Sequence, residues 1–290
     1  MHPLKPAFAI PYIKPYDFDA LLRFYAGRAV QGIEAVIENG YYFTAAIGSH
    51  RGVVGVTNRQ DIGELTVSLS DALLPNVEQI MGRIENAFDT HCDPKRVGQT
   101  LVRMNEFEHG LYRPGIRVPG CFDGFEMAVR AILEQQISTR AACTIAQRIV
   151  VGLGSELETE IDGLSHNFPT AEQILSAPEG ALCAFGASPL KAQAIRALAY
   201  DYVKGRICLR PGPEAHKEIK MLLDMKGIGP WTSQYIGMRA LKDPNAFMDT
   251  DAGVKKALPG LNSSQIAAIA DAWKPYRAYA LMCLWNASEA

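Results

Sequence analysis

Hydrophobic and polar positions change their period once along this chain. Between about residues 29 and 70 they alternate: AVQGIEAVIENG, YYFTAAIGSHRGVVGVT and ELTVSLS set apolar and polar side chains by turns, the period of a half-buried strand. Turn residues separate the three segments, and Asn39-Gly40 and the stretch from Gly48 to Gly52 suit hairpin connections. Helical spacing flanks this meander, in FDALLRFYAGRA before it and NVEQIMGRIENAFDTH after it. An antiparallel sheet with helices on one face therefore accounts for the first ~95 residues.

From Phe122 onward the spacing is three and four almost throughout. GFEMAVRAILEQQ predicts one helix, and Ser138 is placed to cap the next, TRAACTIAQRIVVGLG. Further helices are expected at 171–186, 190–204, 215–226, 231–241, 251–258 and 264–286. RPGIRVPG (113–120), RICLRPGPEA (206–215) and KDPNAFMDT (242–250) are rich in turn residues and read as loops. The class is α+β, a sheet-bearing N-terminal part followed by an all-helical part.

Composition narrows the chemistry. A formal net charge of −2 over 290 residues argues against polyanion binding by overall charge, while leaving room for a local basic face. The six cysteines are scattered without a CxxC pair, and the six histidines form no HxH or HExxH. No catalytic metal is expected from this pattern. The N-terminal stretch lacks a continuous apolar core for export, and no segment approaches the length of a membrane span. A cytoplasmic protein is expected, nucleoid-associated if bacterial.

One break in the helical pattern carries more than the rest. In LLDMKGIGPWTSQYIGMRAL, Gly227 and Gly229 interrupt the periodicity and Pro230 suits the first turn of a new helix. A helix, a glycine hairpin and a second helix result, with free amides at the second helix start that suit a phosphate. An ordinary tight turn explains the glycines equally well. Trp231 and Tyr235 are four apart and share a helix face. The next loop ends in FMDTDAGVKKAL, where Asp249 or Thr250 can cap the following helix and leave Asp251 available for chemistry.

Hairpin, aromatic face, loop and carboxylate, in that order, resemble the helix-hairpin-helix superfamily of DNA glycosylases. PYDFDALLRFYAGRAV, GIRVPGCFDGFEMAVRAILEQQIS and WKPYRAYALMCLW extend the resemblance nearly end to end, and are similar to the 3-methyladenine DNA glycosylase II branch. The resemblance implies a mixed α/β domain over 1–97, one helical lobe from 98–123 plus 244–290, a second over 124–243 ending in the hairpin, and a cleft between the lobes. It implies duplex DNA with a damaged base as partner, a monomer, and no obligate protein partner. The activity implied is hydrolysis of the N-glycosidic bond of an alkylated base flipped out of the duplex.

Carried over residue by residue, Asp251 is the catalytic carboxylate, and Phe24, Trp231, Tyr235 and Trp285 line the base pocket. Gly227, Gly229 and Thr232 hold a DNA phosphate, with Lys226 a further contact. Gln136 is the wedge that fills the gap left by the flipped base, or else a surface residue at a helix end. No cofactor is implied beyond a monovalent cation at the carbonyls of Leu223, Met225 and Gly227. Trp231 stands where relatives that also cut the backbone carry a lysine, so a monofunctional enzyme without lyase activity is expected. Ala252 and Gly253 depart from the bulky walls of the branch and keep open a glycosylase for deaminated or oxidised bases. A non-catalytic DNA-binding module is the third reading. Trp273 is expected in the core.

Overall fold

The computed structural model describes Leu4 and residues 7–289. The N-terminal part opens with β1 (Ala7–Pro11) and α1 (Phe18–Ala26), followed by β2 (Glu34–Ile37), β3 (Gly40–Ile47), β4 (His50–Arg59) and β5 (Glu64–Leu69). All five strands form one antiparallel sheet in the order β1-β5-β4-β3-β2. The alternation in the sequence sorts the two faces. Tyr41, Phe43, Val54, Val56, Leu65 and Val67 point into the main core, whereas Tyr42 and Val53 turn to a smaller cluster with Leu4, Ile161 and Leu164.

Helices α1, α2 (Val77–Phe88) and α3 (Pro94–Leu101) accompany the sheet. Asp17 caps α1 by accepting from the Ala20 N–H, and Asp93 caps α3 ahead of Pro94. Arg117 is a buried cation that ties the loop 113–120 to the N-terminal segment. Its guanidinium donates to the carbonyls of Ile13 (2.6 Å), Pro15 (3.1 Å) and Gly115 (3.0 Å), which is how a buried charge is made tolerable.

The helical part starts with α4 (Gly124–Glu134), capped by Asp123, and α5 (Thr139–Leu153), capped by Ser138 as the sequence predicts. The expectation of a nearly unbroken helical run fails at three places. Two short strands, β6 (Ser155–Glu156) and β7 (His166–Asn167), pair between α5 and the next helix and lie beside the N-terminal sheet. The helix expected at 171–186 is two, α6 (Ala171–Ser176) and α7 (Ala181–Ala184), because Ala177 precedes a proline and is extended. The helix expected at 264–286 is α12 (Ser263–Ala270), a 3₁₀ turn and α13 (Arg277–Glu289); Pro275, without an N–H, cannot continue it.

Between these run α8 (Pro189–Val203), α9 (Ala215–Asp224), α10 (Pro230–Arg239) and α11 (Ala252–Ala257). Helix α4 sits at the centre of this half, packed against α5, α8 and α10. Trp273 is completely buried. Polar bonds join the N-terminal part to the helical part: Lys242 Nζ, after α10, meets Asp89 Oδ1 at 2.8 Å, and Tyr279 of α13 donates its hydroxyl to Asp89 Oδ2 at 2.8 Å. Among the described residues no helix is long and apolar enough to cross a membrane.

Candidate active site

The α9–α10 connection is a hairpin made by two glycines of different kinds. Gly227 has φ +93°, a conformation that side-chain-bearing residues avoid, and Ala194 lies 3.0 Å from where its Cβ would stand. Gly229 is in extended backbone, φ −95° and ψ 178°, a conformation open to any residue. Among the described residues nothing lies within 4 Å of a Cβ at Gly229, so its lack of a side chain leaves open space beside the start of α10. Lys226 is exposed at the tip.

Gln135, in the α4–α5 connection, fixes the hairpin. Its Nε2 donates to the Gly227 carbonyl and to Thr232 Oγ1, each at 2.9 Å. Thr232 is buried and its Oγ1 accepts from Gln135, which differs from an exposed phosphate contact at the helix start. The neighbouring Gln136 is exposed with φ +56°, a strained conformation for a glutamine. Ile137 beside it is 37 % exposed, an apolar side chain on the same rim.

Across from the hairpin, α11 begins at Asp251. The sequence reading left this carboxylate free of capping, and here the structure corrects it: Asp251 is itself the cap. Its Oδ1 accepts from the backbone N–H groups of Gly253 (2.9 Å) and Val254 (3.1 Å) and from Trp285 Nε1 (2.8 Å). Its Oδ2 accepts from Trp231 Nε1 at 2.9 Å. Two indoles from helices far apart in the chain thus donate to the two oxygens of one carboxylate. Capping does not remove Asp251 from the site; it fixes where the negative charge stands. Gly253 makes room for this, since a Cβ there would stand 2.8 Å from Trp285 Cδ1.

The aromatic side chains do assemble. Trp231 stacks on Tyr235 with ring centroids 5.0 Å apart, and Tyr235 meets Trp285 edge-on at 6.2 Å. Phe24 stacks against Trp285 at 6.2 Å, yet it does not line the cleft. Arg28, which sequence reasoning missed, lies over its ring at 3.9 Å, and Arg239 also lies over that ring, at 4.8 Å. Arg28 reaches toward the Trp285 ring as well, at 5.7 Å. It follows Phe24 by four residues, a spacing that shares one face and could have found it. Its Nε is buried without a hydrogen-bond partner.

These groups face a cleft of about 1340 Å³, bounded by the hairpin and the α4–α5 connection on one side and by α11 and α13 on the other. Arg28, Gln136, Trp231, Tyr235, Asp251 and Trp285 all line it; no lysine does among the described residues. They also show no cluster of His, Cys, Asp and Glu fit to hold a metal ion.

Residues 7–123 match the family described as the AlkA N-terminal domain, and residues 129–272 match the HhH-GPD superfamily of base excision DNA repair proteins. The chain is 33 % identical over 280 residues to DNA-3-methyladenine glycosylase 2 of Escherichia coli, covering 96 % of each. Its fold is similar to a 3-methyladenine DNA glycosylase from Archaeoglobus fulgidus, with a TM-score of 0.80, 21 % identity, and 97 % and 98 % of the two chains covered. It is also similar in fold to the 8-oxoguanine glycosylase/lyase of Clostridium acetobutylicum in complex with double-stranded DNA, with a TM-score of 0.71, 17 % identity and 97 % of both chains covered.

Proposed function

The chain belongs to the HhH-GPD superfamily of base excision DNA repair proteins, in the form that carries an AlkA N-terminal domain, and on that premise we propose that it is a monofunctional DNA-3-methyladenine glycosylase with Asp251 as its catalytic carboxylate. The observation that carries the reading is the pair of indole N–H groups at 2.9 and 2.8 Å on Asp251. A binding module has no use for a carboxylate between aromatic walls, which repels phosphate.

A base held in a duplex cannot reach this depth, so the substrate nucleotide is flipped into the cleft. Unstacking costs a few kcal/mol, and the faces of Trp231, Tyr235 and Trp285 recover part of it by stacking. Gln136, with Ile137 beside it, fills the vacated place in the duplex. The exposed hairpin amides at Gly229 hold the backbone, and the open space there admits a phosphate. The Met225 carbonyl accepts from Ile228 N–H and the Gly227 carbonyl from Gln135; each keeps a second lone pair, so these carbonyls fit a monovalent cation, whose charge would favour that phosphate.

As the C1′–N bond breaks, positive charge moves from the alkylated base to the sugar. Asp251 stands ready with fixed negative charge, and because its oxygens are already oriented, little reorganisation accompanies the step. Water then completes hydrolysis at C1′. Arg28 acts in the same sense from the base side. A cationic base sharing the aromatic wall with this guanidinium is destabilised, and the repulsion is relieved as the base leaves neutral. Among the described residues no lysine lines the cleft to form a Schiff base, which supports hydrolysis without strand cutting.

The test is release of free base from alkylated duplex DNA by wild type and by Asp251→Asn. Asparagine keeps one capping oxygen for the α11 amides and loses the negative charge and the second acceptor. Release is expected from wild type and a loss of at least about a hundredfold from the variant. Full activity of Asp251→Asn, or a borohydride-trapped covalent adduct of wild type with DNA, overturns the reading.

A further inference from the structure

The connection between α4 and α5 carries its strain at one place. Gln135 has φ −54° and ψ 127°, and Gln136 follows with φ +56°, the dihedral pattern of a type II turn over residues 134–137. The third position of such a turn suits glycine or asparagine, and here it holds Gln136. Turning over the peptide unit between Gln135 and Gln136 would give a type I turn, which a glutamine adopts without strain. The turn's own hydrogen bond, from the Ile137 N–H to the Glu134 carbonyl, is long at 3.5 Å and does little to prevent this.

Lys191, in the first turn of α8, grips that peptide unit from outside. Its Nζ donates to the Gln135 carbonyl at 2.7 Å and to the Leu133 carbonyl at 2.8 Å. The Gln135 carbonyl is the oxygen of the peptide whose rotation would relax Gln136, so the ammonium holds the turn in its type II form. Nothing in α8 accounts for a cation here. Ser188 caps the helix and Pro189 begins it, so Lys191 stands where a positive charge opposes the helix dipole. Burial lowers its pKa from the ordinary lysine value, and among the described residues no carboxylate offsets this. Capping of α4 accounts for the bond to Leu133; the bond to Gln135 lies past the end of that helix.

We propose that Lys191 is a positioning residue for the wedge: by holding the Gln135–Gln136 peptide it keeps Gln136 set on the rim of the cleft, ready to enter the duplex as the nucleotide leaves. This rests on the reading of Gln136 as the wedge. A side chain already held in its working conformation loses less freedom on binding, so more of the binding energy is left for flipping. The same turn is tied to the hairpin. Gln135 bonds the Gly227 carbonyl and Thr232 through its side chain while Lys191 holds its main chain. Leu190 lines the cleft, and its carbonyl lies 3.4 Å from where a Cβ of Gly227 would stand. The start of α8, the turn and the hairpin are thus one bonded unit, which fixes the spacing between wedge and phosphate contact.

Lys191→Met keeps the aliphatic stem and removes both bonds. Single-turnover base release is measured on a duplex with 7-methylguanine paired to cytosine, and on the same strand with the lesion inside a bubble of mismatches. In the bubble the base is already unpaired, and little is left for a wedge to do. Lys191→Met should slow release from the paired duplex at least about tenfold and from the bubble less than about twofold. A loss of fold would lower both alike. Gln136→Ala should show the same split, and the double variant should be within about twofold of the slower single one. Equal slowing on both substrates, normal rates on both, or a split that Gln136→Ala does not share overturns the proposal. If wild type releases no base, the glycosylase reading fails, and the wedge is read instead by fluorescence of 2-aminopurine opposite an abasic-site analogue. Saturating wild type should change that signal and both variants should lose the change; a full change with Lys191→Met overturns the proposal.

Discussion

Trp285 and Asp251 are joined by a 2.8 Å hydrogen bond from the indole Nε1–H to Oδ1, between helices 34 residues apart. The same oxygen accepts two backbone N–H groups of α11, so the indole orients a carboxylate whose cap is already complete. Trp285→Phe keeps an apolar ring and removes that donor. A bond to a charged group contributes about 1.5–3 kcal/mol, so kcat for base release should fall roughly ten- to a hundredfold with little change in KM. Gly253→Ala pushes the indole from the other side and should act in the same direction. The double variant should add little to either single one, because both act on one unit. Unchanged kcat in both single variants would show that the indole does not position the carboxylate.

The two hairpin glycines should separate fold from DNA contact. Gly229→Ala meets no protein atom and keeps an allowed backbone, so thermal stability should stay level or rise by up to about 1 kcal/mol. Affinity for duplex DNA should nevertheless drop, because the added methyl occupies the space proposed for a phosphate. Gly227→Ala forces an alanine to φ +93° against Ala194 and should cost about 1–3 kcal/mol of stability. Equal DNA affinity of Gly229→Ala and wild type, measured by fluorescence anisotropy at fixed salt, would remove the phosphate from that place.

How far the sequence could be read follows the range of the interactions involved. Period-two alternation identified β3, β4 and β5 because alternate side chains of those strands enter the main core. The cap at Ser138 and the hairpin at Gly227 depend on residues a few positions apart. Legibility stopped where the chain's path mattered. The cap of α11 could fall on Asp249, Thr250 or Asp251, and the path of loop 242–250 sets Asp251 there, within reach of both indoles. Pro178 and Pro275 were in view, yet the helical spacing around them masked the breaks. Gln135 was out of reach for a different reason: its contact with the hairpin is created by packing between segments 92 residues apart, and no local pattern records it.

Arg28 over Phe24, at 3.9 Å, gives a kinetic signature distinct from simple binding. If the guanidinium raises the energy of a bound cationic base, Arg28→Gln should lower KM and lower kcat together on 3-methyladenine DNA. A neutral lesion such as hypoxanthine should show a smaller fall in kcat, since no cation is there to repel. The ratio of the two activities is the measurement. A higher KM with unchanged kcat on the cationic lesion would mean that Arg28 only helps to hold the substrate.

Glu126 gives a pH dependence with a definite sign. Burial raises its carboxyl to about 7 from an ordinary 4.5; the Arg130 guanidinium opposes this and Glu34 adds to it. The folded state therefore keeps a proton that the unfolded chain has released between about pH 4.5 and 7, and stability falls as pH rises through that window. Above it the loss is complete, and below it absent. Glu126→Gln carries no titrating group there and should lack this loss. Its melting temperature relative to wild type should thus climb from pH 5 to pH 8 and level off. A difference that is flat across this range, or that shrinks with rising pH, would mean that Glu126 is already ionised in the folded protein, with Arg130 outweighing its burial.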